Sequence, residues 1–242
     1  MTHKLILDLG NTLSKAALVE SGQIKTVHSF ESDESLMHWI KQQLAFSGGI
    51  IGSVKELPGK LWDWAKNQSG VFLLSALTPL PFKIAYKSPQ TLGADRIALA
   101  AAAFERFPEK NVLVIDMGSC ITYDLLTAQG VYLGGAISPG IRMRFKAMNA
   151  FTAKLPMAEP TDKTPLIGYD TQSSLQSGVM NGVQAEIEGV IDRYASNYKD
   201  LTVLIGGGDN KYFDKRFKVN IFAASNLVLN GLRFILEFNE SQ

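Results

Sequence analysis

Three aspartates, Asp8, Asp95 and Asp116, stand beside glycines and small polar side chains in patterns that suit phosphate chemistry. Asp8 opens the run Asp8-Leu9-Gly10-Asn11-Thr12-Leu13-Ser14-Lys15, which gathers backbone N–H groups, an amide, two hydroxyls and an ammonium around one carboxylate. Such a loop can hold phosphate oxygens on its amides while the aspartate keeps a hydrated magnesium ion beside them. A turn whose polar side chains cap their own backbone uses the same residue types, so both readings stand at this point. Asp95 follows Gly93 and Ala94 and precedes Arg96. That pair suits a site needing one anionic acceptor for a hydroxyl proton and one cation for an anionic substrate. An ordinary helix start would also place Asp95 at the positive end of the dipole, but it would not favour Arg96 there. Asp116 is followed by Gly118, Ser119 and Cys120, with Asp124 further along.

The elements that must hold these residues can be read outward from Asp116. The apolar run 112–115 predicts a strand covered on both faces, with Asp116 at the rim of its sheet and Gly118 letting the backbone approach a ligand. Ile115-Asp116-x-Gly118 echoes Leu7-Asp8-x-Gly10 at an offset of 108 residues, and the echo continues from Ala17-Leu18 to Leu125-Leu126 and from Gly22 to Gly130. A bare Asp-x-Gly is expected about once by chance in a chain of this size, so the shared context carries the signal. The chain reads as two copies of one strand, turn and hairpin unit.

In order, strand 4–10 leads to hairpin arms 14–20 and 24–30, with the reversal at Ser21-Gly22. A helix over 33–46 is predicted from Leu36, Trp39, Ile40 and Leu44, then a strand at 50–54, a helical piece at 61–65 and a strand at 71–74. An extended segment at 83–86 leads past Tyr86 and Pro89 into an alanine-rich helix over 97–107. Gly134-Gly135 and Pro139-Gly140 mark close backbone approach, to a ligand or to another strand, before a helix over 141–151. Residues 154–169 carry three prolines and read as a surface loop. Asp170 or Thr171 caps a helix over 172–194, which leaves Thr171 either a cap or a ligand contact. Strand 202–205 runs into Gly206-Gly207-Gly208, where a flat ring could lie on the backbone or the chain could simply loop. An amphipathic helix over 225–238 closes the chain. Strands alternating with helices predict α/β layers. Trp39, Trp62 and Trp64 are read as packing residues, since no basic run interleaves with them.

Composition narrows the function classes. The 242 residues carry 24 basic and 23 acidic side chains, a net charge of +1, which marks neither a nucleic-acid binder nor a membrane-surface binder. An anionic ligand must therefore be recognised locally. Cys120 is the single cysteine, which excludes an intrachain disulfide and a multi-cysteine metal site and fits a reducing compartment. Met1-Thr2-His3-Lys4 leads straight into the first strand without a leader pattern, and no apolar run approaches the roughly 18 residues of a membrane span. A cytoplasmic protein is expected.

Taken together and in order, Asp8-x-Gly10-Asn11-Thr12, Gly93-x-Asp95-Arg96, Asp116-x-Gly118-Ser119 with Asp124, Gly134-Gly135 and Pro139-Gly140 resemble the type III pantothenate kinases. That family belongs to the superfamily of actin, hexokinase and acetate kinase. The resemblance implies an α/β protein of two ribonuclease-H-like domains, 1–109 and 110–242, facing each other across a nucleotide cleft. It implies ATP-dependent phosphorylation of pantothenate to 4'-phosphopantothenate, the first step of coenzyme A biosynthesis. By position, Asp8, Leu9, Gly10, Asn11, Thr12, Leu13, Ser14 and Lys15 match the first phosphate loop, and Ser119 matches a further ATP contact. Asp95 matches the catalytic base. Tyr86, Gly93, Ala94, Asp95, Arg96 and Thr171 match the pantothenate contacts, and Asp116 matches the ligand of a potassium or ammonium ion. ATP with Mg2+ and a homodimer with the substrate pocket near the subunit interface are implied as well.

Two positions depart from the family pattern. Ser119-Cys120 replaces the usual Thr-Ala, keeping the hydroxyl, and Ser88-Pro89 replaces Asn-Pro. Kinases of other small hydroxy acids, phosphoanhydride hydrolases and non-catalytic transcription accessory proteins share such a fold. A scaffold has no use for Asp8, Asp95, Arg96, Asp116 and Asp124 together, which argues against the last.

Overall fold

The structure is a computed structural model, and it describes residues 3–43, 46–213 and 221–242. The chain divides into two compact units: one of Met1–Glu109, Gln129–Leu133 and Asn226–Gln242, the other of Lys110–Ala128 and Gly134–Ser225. The main segment of the first unit ends at Glu109, and the closing helix counts with that unit rather than with the second.

In the first unit, β1 (His3–Leu9) and β2 (Ser14–Glu20) are antiparallel, β3 (Gln23–Phe30) continues the hairpin, and β4 (Phe46–Ser53) and β5 (Val71–Leu73) run parallel to β1. The sheet order is β3-β2-β1-β4-β5. Ser21 and Gly22 both take positive φ at the reversal between β2 and β3, as the glycine there predicted. β1 reads as a nearly continuous apolar run because both of its faces are covered. Leu5, Leu7, Leu9 and Ile51 meet Leu36, Met37 and Ile40 of α1 (Asp33–Gln42) and Leu61 of α2 (Gly59–Lys66). The predicted helix over 33–46 therefore ends earlier, and Leu44 lies outside the described residues, as do Met1 and Thr2.

The alternate face of this sheet carries Ile6, Asp8, Ile50 and Gly52, and a Cβ on Gly52 would lie 3.0 Å from Leu232 of α6 (Leu227–Glu240). On α3 (Ala94–Arg106) the alanines from 100 to 103 are all buried. The reason is close helix packing: a Cβ on Gly231 of α6 would fall 1.7 Å from the Ala98 carbonyl, so the two backbones touch. The short β6 (Lys83–Ile84) pairs with Val131 and Tyr132 at the start of β9 (Val131–Pro139).

The second unit repeats the plan. Around β7 (Val112–Met117), β8 (Cys120–Leu126) is antiparallel, β10 (Thr202–Gly206) is parallel, and β11 (Ile221–Ala223) is parallel to β10. The order β9-β8-β7-β10-β11 reproduces that of the first sheet, and Gly130, the counterpart of Gly22, also has positive φ. Leu113, Ile115, Met117, Ile121 and Tyr123 pack on α4 (Ile141–Ala150) and on α5 (Thr171–Asn197) through Val179, Met180, Val183 and Ile187. No helix among the described residues is long and apolar enough to cross a membrane.

Candidate active site

In the first unit the turn after β1 is built by Gly10, whose N–H donates to the Leu13 carbonyl at 3.2 Å. A Cβ at position 10 would lie 2.7 Å from that oxygen, so only glycine closes the turn without displacement. Asn11, Thr12 and Leu13 are exposed on it. The strand alternation then sorts the predicted loop residues. Asp8 stands opposite Lys15 in the β1–β2 ladder and beside Gly52 of β4. A carboxylate and an ammonium thus share one face, and the neighbouring strand puts no side chain beside them. Leu9 and Ser14 are opposite each other on the other face, and Ser14 is only 4% exposed. Among the predicted ATP contacts, Ser14 therefore has its side chain on the core side, away from Asp8 and Lys15.

The Asp8 face is also the face against which α3 and α6 pack. α3 begins at Gly93, the N-cap, which supplies no side-chain cap. Asp95 fills that role from inside the first turn: its Oδ1 accepts the Arg96 N–H at 2.8 Å. That oxygen occupies the place of a missing side chain, since a Cβ on Gly93 would come within 2.4 Å of it. Asp95 is half-buried and Ala94 is buried. Arg96 is 5% exposed, and its guanidinium lies 5.9 Å from the centroid of the Tyr86 ring. Tyr86 in turn stands 6.4 Å from Tyr132. Four of the predicted substrate residues, Tyr86, Gly93, Asp95 and Arg96, are thus brought together by a single helix start and the segment before it.

In the second unit Asp116 occupies the position that Asp8 holds in the first. It stands opposite Thr122 of β8 and beside Gly206 of β10, again next to a glycine on the parallel strand. A Cβ on Gly118 would lie 3.4 Å from Asp116 Oδ2, so the carboxylate leans over the following turn. Thr122 is 8% exposed and its buried Oγ1 has no hydrogen-bond partner among the described residues. Asp124, on the same face, is 1% exposed.

The turn at Gly118-Ser119 is closed by the Gly118 N–H donating to the Cys120 carbonyl at 3.0 Å, and Ser119 is left exposed. Two other loops press on it. The Gly140 N–H donates to the Ser119 carbonyl at 3.2 Å, and a Cβ on Gly140 would fall 2.4 Å from that oxygen. Gly207, at φ +91°, would place a Cβ 2.3 Å from the Met117 backbone, and the Asp209 N–H donates to the Met117 carbonyl at 3.0 Å. Gly207 is thus dictated by packing, whereas among the described residues nothing lies within 4 Å of a Cβ on Gly208. Gly135, by contrast, approaches a strand: its Cβ would overlap the Tyr123 carbonyl at 1.6 Å.

α4 opens with Arg142 and Arg144, two cations in a first turn where the dipole disfavours them. Each meets a carboxylate. Arg142 Nη1 donates to Asp209 Oδ1 at 2.8 Å, and Arg144 Nη2 donates to Glu186 of α5. Arg144 also donates to Ser138 Oγ and to the Pro139 carbonyl, both at 2.9 Å. Tyr123 donates its hydroxyl to Glu186 at 2.9 Å, and burial together with that bond pushes the phenol well above its usual range. Burial would raise Glu186, but the donors Arg144, Ser138 and Tyr123 outweigh it and hold the carboxyl below its ordinary value. Sequence reading missed this group, because its members are far apart in the chain; the two arginines at the helix start were the available signal. Thr171 is exposed at the first position of α5 and is not the cap: Asp170 is, accepting the Ser173 N–H at 2.7 Å.

Comparison with known proteins shows the family of the chain. The family model described as type III pantothenate kinase matches residues 4–193. The type III pantothenate kinase of Christiangramia forsetii is 44% identical over 98% of this chain and 99% of its own, and that of Phocaeicola vulgatus is 41% identical over 98% of each. Among solved structures, a conserved candidate Baf family transcriptional activator from Campylobacter jejuni superposes with a TM-score of 0.65 at 22% identity, covering 98% of this chain and 100% of that one. A glucokinase from an Antarctic psychrotroph superposes at 0.54 with 13% identity, covering 98% and 99%. At such identities these likenesses establish the fold, a two-domain actin-like architecture. With relatives above 40% identity along nearly its whole length, the chain belongs to the type III pantothenate kinase family.

Proposed function

We propose that the residues assembled here carry out the family's reaction, ATP-dependent phosphorylation of pantothenate in coenzyme A biosynthesis, with Asp95 as the base that accepts the proton of the attacking hydroxyl. The observation that carries this reading is the anchoring of Asp95: its Oδ1 accepts the Arg96 N–H at 2.8 Å, which fixes the carboxylate at the start of α3 beside Arg96 and Tyr86. Arg96, stacked beside Tyr86, supplies the cation for the pantothenate carboxylate. Gly93, Ala94 and Thr171 complete the substrate contacts, and the turn from Asp8 through Lys15 together with Ser119 holds the triphosphate.

Phosphoryl transfer passes through a loose transition state, so placement and charge neutralisation count for more than covalent help. Orienting the alcohol and the γ-phosphate in line can be worth about 7–11 kcal/mol, whereas a general base contributes typically 10²–10⁴-fold. Asp95→Asn should therefore lower kcat by about 10²–10⁴-fold while leaving the circular dichroism spectrum unchanged. The assay is pantothenate-dependent ADP release from the purified protein, and a variant with near-normal turnover would reject the assignment.

The family's chemistry implies Mg2+ with the ATP. Among the described residues no three His, Cys, Asp or Glu side chains form a metal cluster. That fits an ion held mainly by phosphate oxygens and water with one carboxylate, Asp8. Bound there, it would neutralise charge on the phosphates. For a monovalent cation, potassium or ammonium, the fit is the Asp116 carboxylate with the unpartnered Thr122 hydroxyl directly opposite. Replacing potassium with sodium should depress turnover, and indifference to the ion would count against this role. We also place the protein in the cytoplasm, in keeping with its single half-buried cysteine, and as a homodimer.

A further inference from the structure

Arg142 lies at none of the positions that the family motifs single out, and its side chain is 51% exposed, yet it joins two loops, one that presses on Ser119 and one that presses on Met117. One is the Pro139-Gly140 turn at the start of α4, whose Gly140 N–H holds the Ser119 carbonyl. The other runs from Gly206 to Asp209, whose Asp209 N–H holds the Met117 carbonyl. Asp209 is 8% exposed, an unusual depth for a carboxylate, and Arg142 donates to it at 2.8 Å and reaches the Tyr212 hydroxyl at 3.4 Å. The 206–209 loop has no helix or strand of its own beyond the end of β10. Three glycines give it little intrinsic stiffness. Among the described residues, its position over Met117 is held by the close Gly207 contact, one backbone hydrogen bond and this charge-assisted pair.

We propose that Arg142 is a positioning residue for the nucleotide: through Asp209 it tethers the Gly206–Asp209 loop to the start of α4 and so holds ready the surface at Gly208 on which the nucleoside of ATP rests. The proposal rests on the kinase reading for the identity of the ligand, but not for the tether. Gly208, where a Cβ would meet nothing within 4 Å among the described residues, is the open part of that loop and the part that a flat ring can approach. Arg142, Gly208 and Asp209 belong to the second unit and Tyr86, Asp95 and Arg96 to the first, so the effect expected of the tether is on the nucleotide.

The experiment compares the full-length protein with Arg142→Ala, Arg142→Lys and Asp209→Asn. In the absence of any nucleotide, hydrogen exchange at the Asp209 amide should quicken at least tenfold in Arg142→Ala and in Asp209→Asn, with partial recovery in Arg142→Lys. In steady-state assays the same two variants should raise KM for ATP about tenfold, with kcat and KM for pantothenate within about threefold of the parent. The double variant should be no worse than either single one, as expected for two members of one pair. Unchanged exchange at Asp209 would overturn the tether. Faster exchange with an unchanged KM for ATP, or an equal rise in both KM values, would overturn its role in nucleotide placement. If the parent protein released no ADP with pantothenate, the kinase reading would fail, while the exchange arm would still decide on the tether; ADP titrated calorimetrically into parent and Arg142→Ala would then decide on nucleotide placement, equal affinity overturning it.

Discussion

At the scale of single residues, the candidate site depends on glycines that make room for other atoms more than on glycines that turn the chain. Gly93 has φ −59°, a value open to any residue, yet its missing side chain is where the Asp95 oxygen sits. Gly93→Ala would keep the helix and expel the carboxylate. An error of about 1 Å in a reacting group can cost about 10²-fold in rate. Gly93→Ala is accordingly expected to lower kcat by between ten- and a hundredfold, with ATP affinity unchanged in a nucleotide titration. Equal losses in ATP binding would show that the substitution had damaged more than the placement of Asp95. The carboxylates and glycines of this site were legible in the sequence, because each is unusual at the end of an apolar strand or the start of a helix. The core-facing side chain of Ser14 was not legible: a motif is read as a run of neighbours, while a strand sends alternate side chains to opposite faces.

At the scale of elements, the Arg144, Glu186, Ser138 and Tyr123 group bolts the end of β9 and the start of α4 to β8 and α5, and so fixes Gly140 against Ser119. Its pH dependence follows from Glu186, whose folded-state pKa lies below the ordinary value. A depressed carboxylate adds stability at every pH above its unfolded value, about 4.3, and that stability is lost as the pH falls through the lower, folded value. Glu186→Gln should cost about 1–2 kcal/mol at neutral pH, since the pair is partly solvated. Its melting temperature should also fall less steeply than the parent's as the pH drops below about 4.3. Parallel melting curves across that window would remove Glu186 as the cause. Element types and order were readable from periodicity almost throughout, including the irregular segment 154–169. That segment is nevertheless held in place: α5 side chains donate to its carbonyls, Gln176 to Glu159, Ser177 to Leu166 and Asn181 to Pro165. No local signal announces such bonds, because donors and acceptors come from distant stretches and backbone carbonyls look alike in any sequence.

For the whole molecule, the internal echo at an offset of 108 residues was the most informative single feature, because a repeated strand and hairpin unit specifies a sheet order twice. The place of the closing helix was not readable. An amphipathic stripe says that a helix is buried but not on what, and only Gly231, set against Ala98, records its partner. The second unit carries a surface that bears on the proposed assembly. Phe151, Leu166, Ile167 and Tyr169 are each more than 80% exposed, the last three on a segment pinned to α5. That much apolar area facing water is uncommon on a protein that works as a monomer. On α5 itself Gly178, Gly182 and Gly189 are exposed, and a Cβ on any of them meets nothing within 4 Å among the described residues. Each lowers helix stability by about 1 kcal/mol relative to alanine, which a close-packed partner helix would offset. The proposed homodimer would use this face. Sedimentation equilibrium should therefore give twice the 26.5 kDa chain mass for the parent protein and a single chain mass for Leu166→Glu combined with Ile167→Glu. Gly182→Ala separates the two accounts of the glycines: it should raise the melting temperature of the dissociated double variant but weaken association of the parent. A dimer indifferent to all three changes would place the subunit contact elsewhere.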